Sequence, residues 1–107
     1  MTFAVLFFAL LFAHALADYP LQGSFLSEAK NRNTPIGKQF WMHALPAHAI
    51  IHGGFVMFLT SSLWLGLADA IIHGVTDWLK CEGKISLHTD QAIHLACKLA
   101  WAIIVTT

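Results

Sequence analysis

Four long apolar segments follow one another along this chain, at roughly residues 2–18, 39–62, 63–80 and 87–106. A helix that crosses a membrane takes about 20 residues, with about 17 as the lower limit, and all four segments reach that limit. The only turn candidates between the second and third are Thr60, Ser61, Ser62 and Gly66, which predicts a tight hairpin. The pattern predicts an all-α fold, a four-helix transmembrane bundle built as a single integral membrane domain over residues 1–107.

The polar stretch at residues 19–38 separates the first apolar segment from the second. Within it, Phe25, Leu26 and Ala29 would share one face of a helix, which predicts a short interfacial helix near residues 23–31. Ser86 is placed to cap the fourth helix, because serine is a favoured N-cap residue.

Composition supports a membrane location, because hydrophobic residues make up 57% of the chain and charged residues only 11%. A soluble domain carries about 25% charged residues. A chain of 107 residues cannot bury this much apolar surface in a water-facing fold. The lipid bilayer is therefore the expected partner, and the formal net charge of zero gives no reason to expect nucleic acid.

The first apolar segment also resembles a signal peptide, with an apolar core at residues 3–13 and a cleavage-like sequence at residues 15–17. No Lys or Arg precedes that core, although a signal peptide normally carries one. We therefore expect the segment to be retained as a membrane helix.

Basic residues predict the orientation of the helices, because loops rich in Lys and Arg stay in the cytoplasm. The basic residues in or beside the first and third loops are Lys30, Arg32, Lys38, Lys80 and Lys84. The second connection carries none. The first and third loops should therefore be cytoplasmic, with both termini outside the cytoplasm.

Three pairs of one histidine and one aspartate occur inside the apolar segments, each with a spacing of four residues. They are His14/Asp18, His73/Asp77 and Asp90/His94, and the pair His48/His52 repeats the spacing with two histidines. Residues four apart share one helix face. Ionisable groups are costly in lipid and are therefore functional candidates. In a four-span topology, all four pairs lie at one depth in the cytoplasmic half.

This convergence predicts a metal site, since bundle cores commonly hold metals through side chains on facing helices. Imidazole and carboxylate suit a divalent ion such as zinc, with iron or manganese as alternatives. The expected ligands are His14, Asp18, His73, Asp77, Asp90 and His94. A further ligand could come from His43, His48 or His52, among which the sequence does not choose. The donors could form one closed site or a two-metal site.

A simpler interpretation is that each pair forms a hydrogen bond within its helix and neutralises two polar groups. For a single pair this interpretation is the stronger one, whereas three pairs at one depth favour a site. An aspartate could also orient a metal-bound histidine without binding the ion itself.

The pairs lie in three sequence motifs, HALADYPLQGSFLSEAKN, HGVTDWLK and DQAIHLA. Their order resembles a family of small bacterial and phage membrane proteins catalogued as domain of unknown function 3307, over roughly residues 8–100. The resemblance implies an integral protein of the bacterial inner membrane with four helices, and no established activity comes with it. The motif positions that it carries over are His14, Asp18, Gln22, Lys30, His73, Asp77, Lys80, Asp90, Gln91 and His94. Family members usually have one histidine early in the second helix, and His43, His48 and His52 compete for that place.

The first functional hypothesis is a metal-dependent hydrolase embedded in the membrane, acting on a lipid or lipid-linked substrate. A metal lowers the pKa of a bound water, and Asp77 or Asp90 would accept its proton. Lys30 or Lys80 could hold an anionic headgroup, with Gln22 and Gln91 supporting the ligands or the substrate. Against this hypothesis, the chain has no H-E-x-x-H motif and no nucleophile elbow.

Two alternatives come from other functional classes. The first is a non-catalytic membrane protein, of bacterial or phage origin, in which the polar pairs stabilise the bundle and the first loop binds another protein. The second is a homo-oligomer that transports protons or ions, since histidine and aspartate can relay protons. The outer half of the bundle, which is almost entirely apolar, argues against a continuous path through one chain.

Overall fold

The computed structural model describes residues Met1–Thr107 and consists of α-helices without strands, so the all-α prediction is confirmed. The helices are α1 (Phe3–Asp18), α2 (Gly23–Ala29), α3 (Pro35–Thr60), α4 (Leu63–Cys81) and α5 (Leu87–Thr106). The short helix α2 lies in the polar stretch where a short helix was expected. The other four correspond to the four apolar segments.

Side-chain caps explain where the long helices begin. The hydroxyls of Thr2, Thr34, Ser62 and Ser86 each accept a hydrogen bond from a backbone N–H in the first turn of the following helix. Helix α3 begins at Pro35, earlier than the expected start at residue 39. The fixed φ of proline suits a first helical position, and Thr34 caps the turn.

Helices α3 and α4 form a tight hairpin whose connection passes through Ser61, a residue in the left-handed region with φ 57°. The two helices pack at backbone contact, because a Cβ added at Gly53 would lie 2.5 Å from the carbonyl oxygen of Gly66 and 2.7 Å from Cβ of Ala70. Gly54 faces open space. The close packing of the two helices therefore depends on Gly53 and not on Gly54.

The four long helices form an elongated bundle of 45 × 22 × 22 Å. Helices α1 and α4 each pack against both α3 and α5, while α2 packs against α3. The connections at residues 19–34 and 82–86 lie at one end of the bundle, called here the loop end, because Arg32 and Asn33 both bond to the carboxylate of Glu82. The hydrogen bonds of this group raise the pKa of the Arg32 guanidinium and lower that of the Glu82 carboxyl.

Two tryptophans accompany this ion pair at the loop end. The guanidinium carbon of Arg32 lies 6.0 Å from the ring centre of Trp41 and 5.6 Å from that of Trp78. Trp41 belongs to α3 and Trp78 to α4, so the contact joins the first loop to both helices.

Polar residues fill the interior of the bundle and apolar residues cover its surface. Twelve of the 25 buried residues are polar or charged, and only ten are hydrophobic. The buried apolar cluster is small and consists of Leu6, Leu10, Val56 and Ala102, near the end opposite the loop end. Twenty-three large hydrophobic side chains are exposed, among them Phe8, Phe58 and Trp64. This distribution is the reverse of that in a protein folded in water.

By length and mean hydropathy, α3 is long and apolar enough to cross a membrane by itself. Helices α1 and α2, bent by 81° where they join, make a second candidate if the pair counts as one span. Helices α4 and α5 carry buried charged residues, such as Asp69 and Lys98, which lower their mean hydropathy. These criteria therefore support one span, or two, where the apolar segments predicted four.

Candidate metal centre

Four side chains from three helices converge in the interior of the bundle. Asp18, His48, His52 and His73 each offer one potential ligand atom, and these atoms all lie within 4.8 Å of one another. Asp18 is the last residue of α1, the two histidines lie one turn apart in α3, and His73 lies in α4. Three imidazoles and a carboxylate are a donor set that zinc accepts.

Asp18 is the central acceptor of this group. Its Oδ1 atom lies 2.8 Å from Nε2 of His52 and 3.3 Å from Nε2 of His48. Its Oδ2 atom lies 3.2 Å from Nε2 of His14 and accepts a 3.0 Å hydrogen bond from the amide nitrogen of Gln91. The carboxylate therefore contacts groups from α1, α3 and α5.

His73 lies in the middle of a stack of three imidazoles. Its ring centre lies 3.7 Å from that of His52 and 4.1 Å from that of His94, with interplanar angles of 20° and 22°. The side chain is buried, and neither ring nitrogen has a hydrogen-bond partner. A buried polar atom without a partner costs about 1–3 kcal/mol, and an ion or a water molecule is the usual explanation.

The pair Asp90/His94 lies beside this stack on α5. Nε2 of His94 lies 3.1 Å from Oδ1 of Asp90, within one helical turn. The amide nitrogen of Gln91 donates to Oδ2 of Asp90 at 3.2 Å, and its Oε1 atom lies 3.0 Å from Nε2 of His14. The contact between Asp90 and His94 that the sequence predicts is therefore present, and Gln91 connects this pair to Asp18.

Asp77 is neutralised by two lysines. Nζ of Lys30 lies 2.7 Å from Oδ2 of Asp77, and Nζ of Lys80 lies 3.0 Å from Oδ1. Lys30 also donates to Oε1 of Gln22 at 2.5 Å. Lys30 is buried with a relative exposure of 4%, although the sequence places it in a loop. The Asp77 carboxylate also lies 3.7 Å from Nε2 of His48, so the lysines adjoin the histidine cluster.

A polar cavity of about 120 Å³ extends from the histidine cluster towards the loop end. It is lined by Asp18, Tyr19, Gln22, Lys30, His73, Asp77, Lys80, Leu87, Asp90 and Gln91. Two of these ten residues are hydrophobic, so the cavity can hold water or a small charged group.

Most of the side chains singled out from the sequence meet in this region. The structure brings together His14, Asp18, His48, His52, His73, Asp77, Asp90 and His94, with Gln22, Lys30, Lys80 and Gln91 around them. His43 is exposed and lies outside the cluster. Helix geometry explains the exclusion, because five residues turn an α-helix by about 140° beyond one full turn, whereas four residues turn it by only about 40°. The four-residue spacing of His48 and His52, set against the five-residue spacing of His43 and His48, could therefore have excluded His43 from the sequence alone.

A second group of buried polar side chains connects α4 to α5. Oδ1 of Asp69 lies 2.7 Å from Nζ of Lys98 and accepts a 2.9 Å hydrogen bond from the indole nitrogen of Trp101. The structure therefore pairs Lys98 with Asp69 inside the bundle. A buried charge with a buried partner is expected, since an unpaired one would be costly.

Comparison with known proteins identifies one family. The family model described as "Protein of unknown function (DUF3307)" matches residues 6–107, which include every side chain of the cluster. No curated protein and no solved structure is significantly similar to the chain.

Proposed function

The chain belongs to the DUF3307 family of proteins of unknown function, and we propose that it is an integral membrane protein in which a divalent metal ion supports hydrolysis of a lipid or lipid-linked substrate. The observation that carries the proposal is the convergence of Asp18, His48, His52 and His73 within 4.8 Å. The two ring nitrogens of His73, which are buried without a hydrogen-bond partner, also favour a bound ion.

Support for the membrane location comes from the apolar surface. Exposing 23 large hydrophobic side chains to water would be unfavourable, at about 25 cal/mol for each Å² of apolar surface, and lipid removes that cost. The 45 Å length of the bundle matches a bilayer with its headgroups, about 40–45 Å. Mean hydropathy underestimates α4 and α5, since their charged residues Asp69, Asp77, Asp90 and Lys98 are buried inside the bundle. We therefore propose four spans, with the basic loop end in the cytoplasm of a bacterial cell.

Support for the metal comes from the type and surroundings of the donors. Imidazole and carboxylate without thiolate suit zinc, with iron or manganese as alternatives. The contact of Asp90 with His94 resembles the carboxylates that orient metal-binding histidines. His14, Asp18, His48, His52, His73 and His94 are the candidate ligands, and Asp90 supports them.

Support for hydrolysis comes from the cavity between the cluster and the loop end. A divalent ion beside this cavity would lower the pKa of a water molecule and supply a nucleophile at neutral pH. Two sequence-predicted proton acceptors line the cavity, and Asp90 fits better because two lysines already neutralise Asp77. The water oxygen would bond to the scissile phosphorus or carbonyl carbon, Asp90 would take its proton, and Asp90 would return that proton to the leaving alcohol as the ester bond breaks.

The small volume of the cavity favours one alternative function. A ligand pocket usually measures about 300–1,000 Å³, whereas this cavity measures about 120 Å³. A non-catalytic membrane protein stabilised by a metal and bound to another protein would need no larger cavity. Conduction through one chain is less favoured, because Leu6, Leu10, Val56 and Ala102 fill the bundle at the other end.

Metal analysis of three purified proteins tests the central part of the proposal. Wild type should retain at least one zinc, iron or manganese ion per chain after gentle detergent extraction. His48→Ala should lose most of that metal, because it removes a buried donor. His43→Ala is the matched control on the same helix and should keep the wild-type content, since His43 is exposed. Wild type without metal, or equal loss in the two variants, contradicts the proposal.

A further inference from the structure

We propose that the cluster holds two metal ions, bridged by the carboxylate of Asp18, and that the substrate is a phosphate ester. This inference rests on the proposed metal-binding function and makes it more specific. The first position is formed by Asp18 Oδ1 with His48 and His52. The second would be formed by Asp18 Oδ2, which lies 3.2 Å from Nε2 of His14, and by His94, which Asp90 orients.

The number of buried donors exceeds what one ion can use. Zinc takes four ligands in most protein sites. Five histidines and the carboxylates of Asp18 and Asp90 lie in one continuous network of contacts. Each of these imidazoles is at least 95% buried. Burial of surplus imidazoles and carboxylates would be unfavourable unless they also met a partner.

The two oxygens of Asp18 face opposite parts of the network. Oδ1 contacts His48 and His52 on α3, whereas Oδ2 contacts His14 on α1 and Gln91 on α5. This is the arrangement expected of a bridging carboxylate, which gives one oxygen to each ion.

Gln91 marks the second position. Its amide nitrogen lies 3.0 Å from Oδ2 of Asp18 and 3.2 Å from Oδ2 of Asp90, so two carboxylates point at one donor. A cation bound to Oδ2 of Asp18 would take the place of this donor. Nδ1 of His14 is buried without a partner in the same region.

The imidazole stack connects the two positions. His73 lies between His52, which belongs to the first position, and His94, which belongs to the second, at ring distances of 3.7 and 4.1 Å. Both nitrogens of His73 are unpartnered, so this ring can serve either position.

Charge identifies the class of substrate. The carboxylates of Asp18, Asp77 and Asp90 and the amines of Lys30 and Lys80 line the cavity. One divalent ion would bring this group close to neutrality, whereas two would leave it clearly positive. An anionic substrate of small size would restore the balance, and two-metal sites typically clamp the oxygens of a phosphate undergoing displacement.

Titration of metal-free protein in detergent with cobalt(II) tests the inference. Wild type should bind two ions per chain, with an electron paramagnetic resonance signal that weakens as the second ion couples to the first through Asp18. Asp90→Asn, which keeps the side-chain shape, should bind one ion. His88→Ala is the control on α5 and should bind two, because His88 is exposed.

The outcomes separate this inference from the proposed function. One ion in wild type, or two uncoupled ions that Asp90→Asn leaves in place, overturns the paired centre and leaves the single site standing. No bound ion overturns both. If Asp90→Asn loses its helical circular dichroism, the stoichiometry and coupling of wild type decide the question.

Discussion

At the scale of single residues, the side chains that line the polar cavity have different chemical roles. His73 and Asp90 lie at its inner side, and the amines of Lys30 and Lys80 lie against Asp77. Lys30 is buried and serves mainly to neutralise Asp77, whereas Lys80 is partly exposed and can reach a bound anion. Lys80 is therefore the residue that would recognise an anionic headgroup.

This assignment predicts the effect of removing the Lys80 charge. With phosphatidic acid in mixed micelles as the probe and phosphate release as the measurement, Lys80→Gln should lower kcat/KM about tenfold or more, because a hydrogen bond to a charged group contributes about 1.5–3 kcal/mol. The effect should appear mainly in KM. Lys84→Gln is the matched control, since Lys84 is exposed and outside the cavity. Equal activity of the two variants contradicts the assignment.

The sequence predicted most side chains of the candidate site but not their partners. The four-residue spacing of His14/Asp18, His73/Asp77 and Asp90/His94 placed each pair on one helix face. That spacing does not determine that Asp18 contacts His48 and His52 of another helix, because such contacts depend on the rotation and register of packed helices. For the same reason, the burial of Lys30 against Asp77 could not be predicted from a polar loop.

At the scale of helices, the α3–α4 hairpin positions His48, His52 and His73 relative to one another. Its contact depends on Gly53 and Gly66, where the backbones approach too closely for a Cβ. The interior position of the histidines depends on this approach, since a wider separation would move α4 away from α3.

Substitution of the two neighbouring glycines should give opposite results. Gly53→Ala should destabilise the protein by about 1–3 kcal/mol, because the added methyl group overpacks against Gly66 and Ala70. Gly54→Ala should be neutral or stabilising by up to about 1 kcal/mol, since it meets nothing and favours the helix. Unfolding in detergent followed by circular dichroism measures both. A loss of stability in Gly54→Ala equal to that in Gly53→Ala would refute the packing role.

The helices themselves were largely predictable because their apolar segments are long and end at recognisable caps. Ser86 was identified in advance as a cap, and its hydroxyl accepts from the backbone N–H of Thr89. The predicted start of α3, at residue 39, is too late, because the exposed polar residue Lys38 resembles the end of a loop. Thr34 and Pro35 gave the local signal for the earlier start.

At the scale of the whole molecule, the proposed four-span topology rests on the apolar surface and the polar interior of the bundle. Arg32 and Asn33 bond to Glu82, so the connections at residues 19–34 and 82–86 share one end. Single-helix hydropathy selects only α3, or α3 with the bent pair α1–α2. The mean hydropathy of a helix does not depend on whether its charged residues are paired inside the bundle. The pairing of Asp69 with Lys98 is seen only in the tertiary structure.

Four spans predict the accessibility of two engineered cysteines in a background with Cys81→Ser and Cys97→Ser. In intact cells, Thr107→Cys should react with a membrane-impermeant maleimide, and Lys84→Cys should react only after the membrane is opened. The two positions lie at opposite ends of α5, so a spanning helix separates them. Equal reactivity of both positions in intact cells contradicts the four-span proposal.

The buried imidazoles and the Asp18 carboxylate are proposed to hold a metal inside a lipid-facing bundle. X-ray absorption at the metal edge of the purified protein tests this proposal most directly. We expect only nitrogen and oxygen neighbours, with zinc at about 2.0–2.2 Å, and multiple scattering from several imidazole rings. Sulfur at about 2.3 Å would assign the metal to Cys81 or Cys97 instead, and this result, a metal-free protein or a first shell without imidazole would rule out the histidine cluster as the metal site.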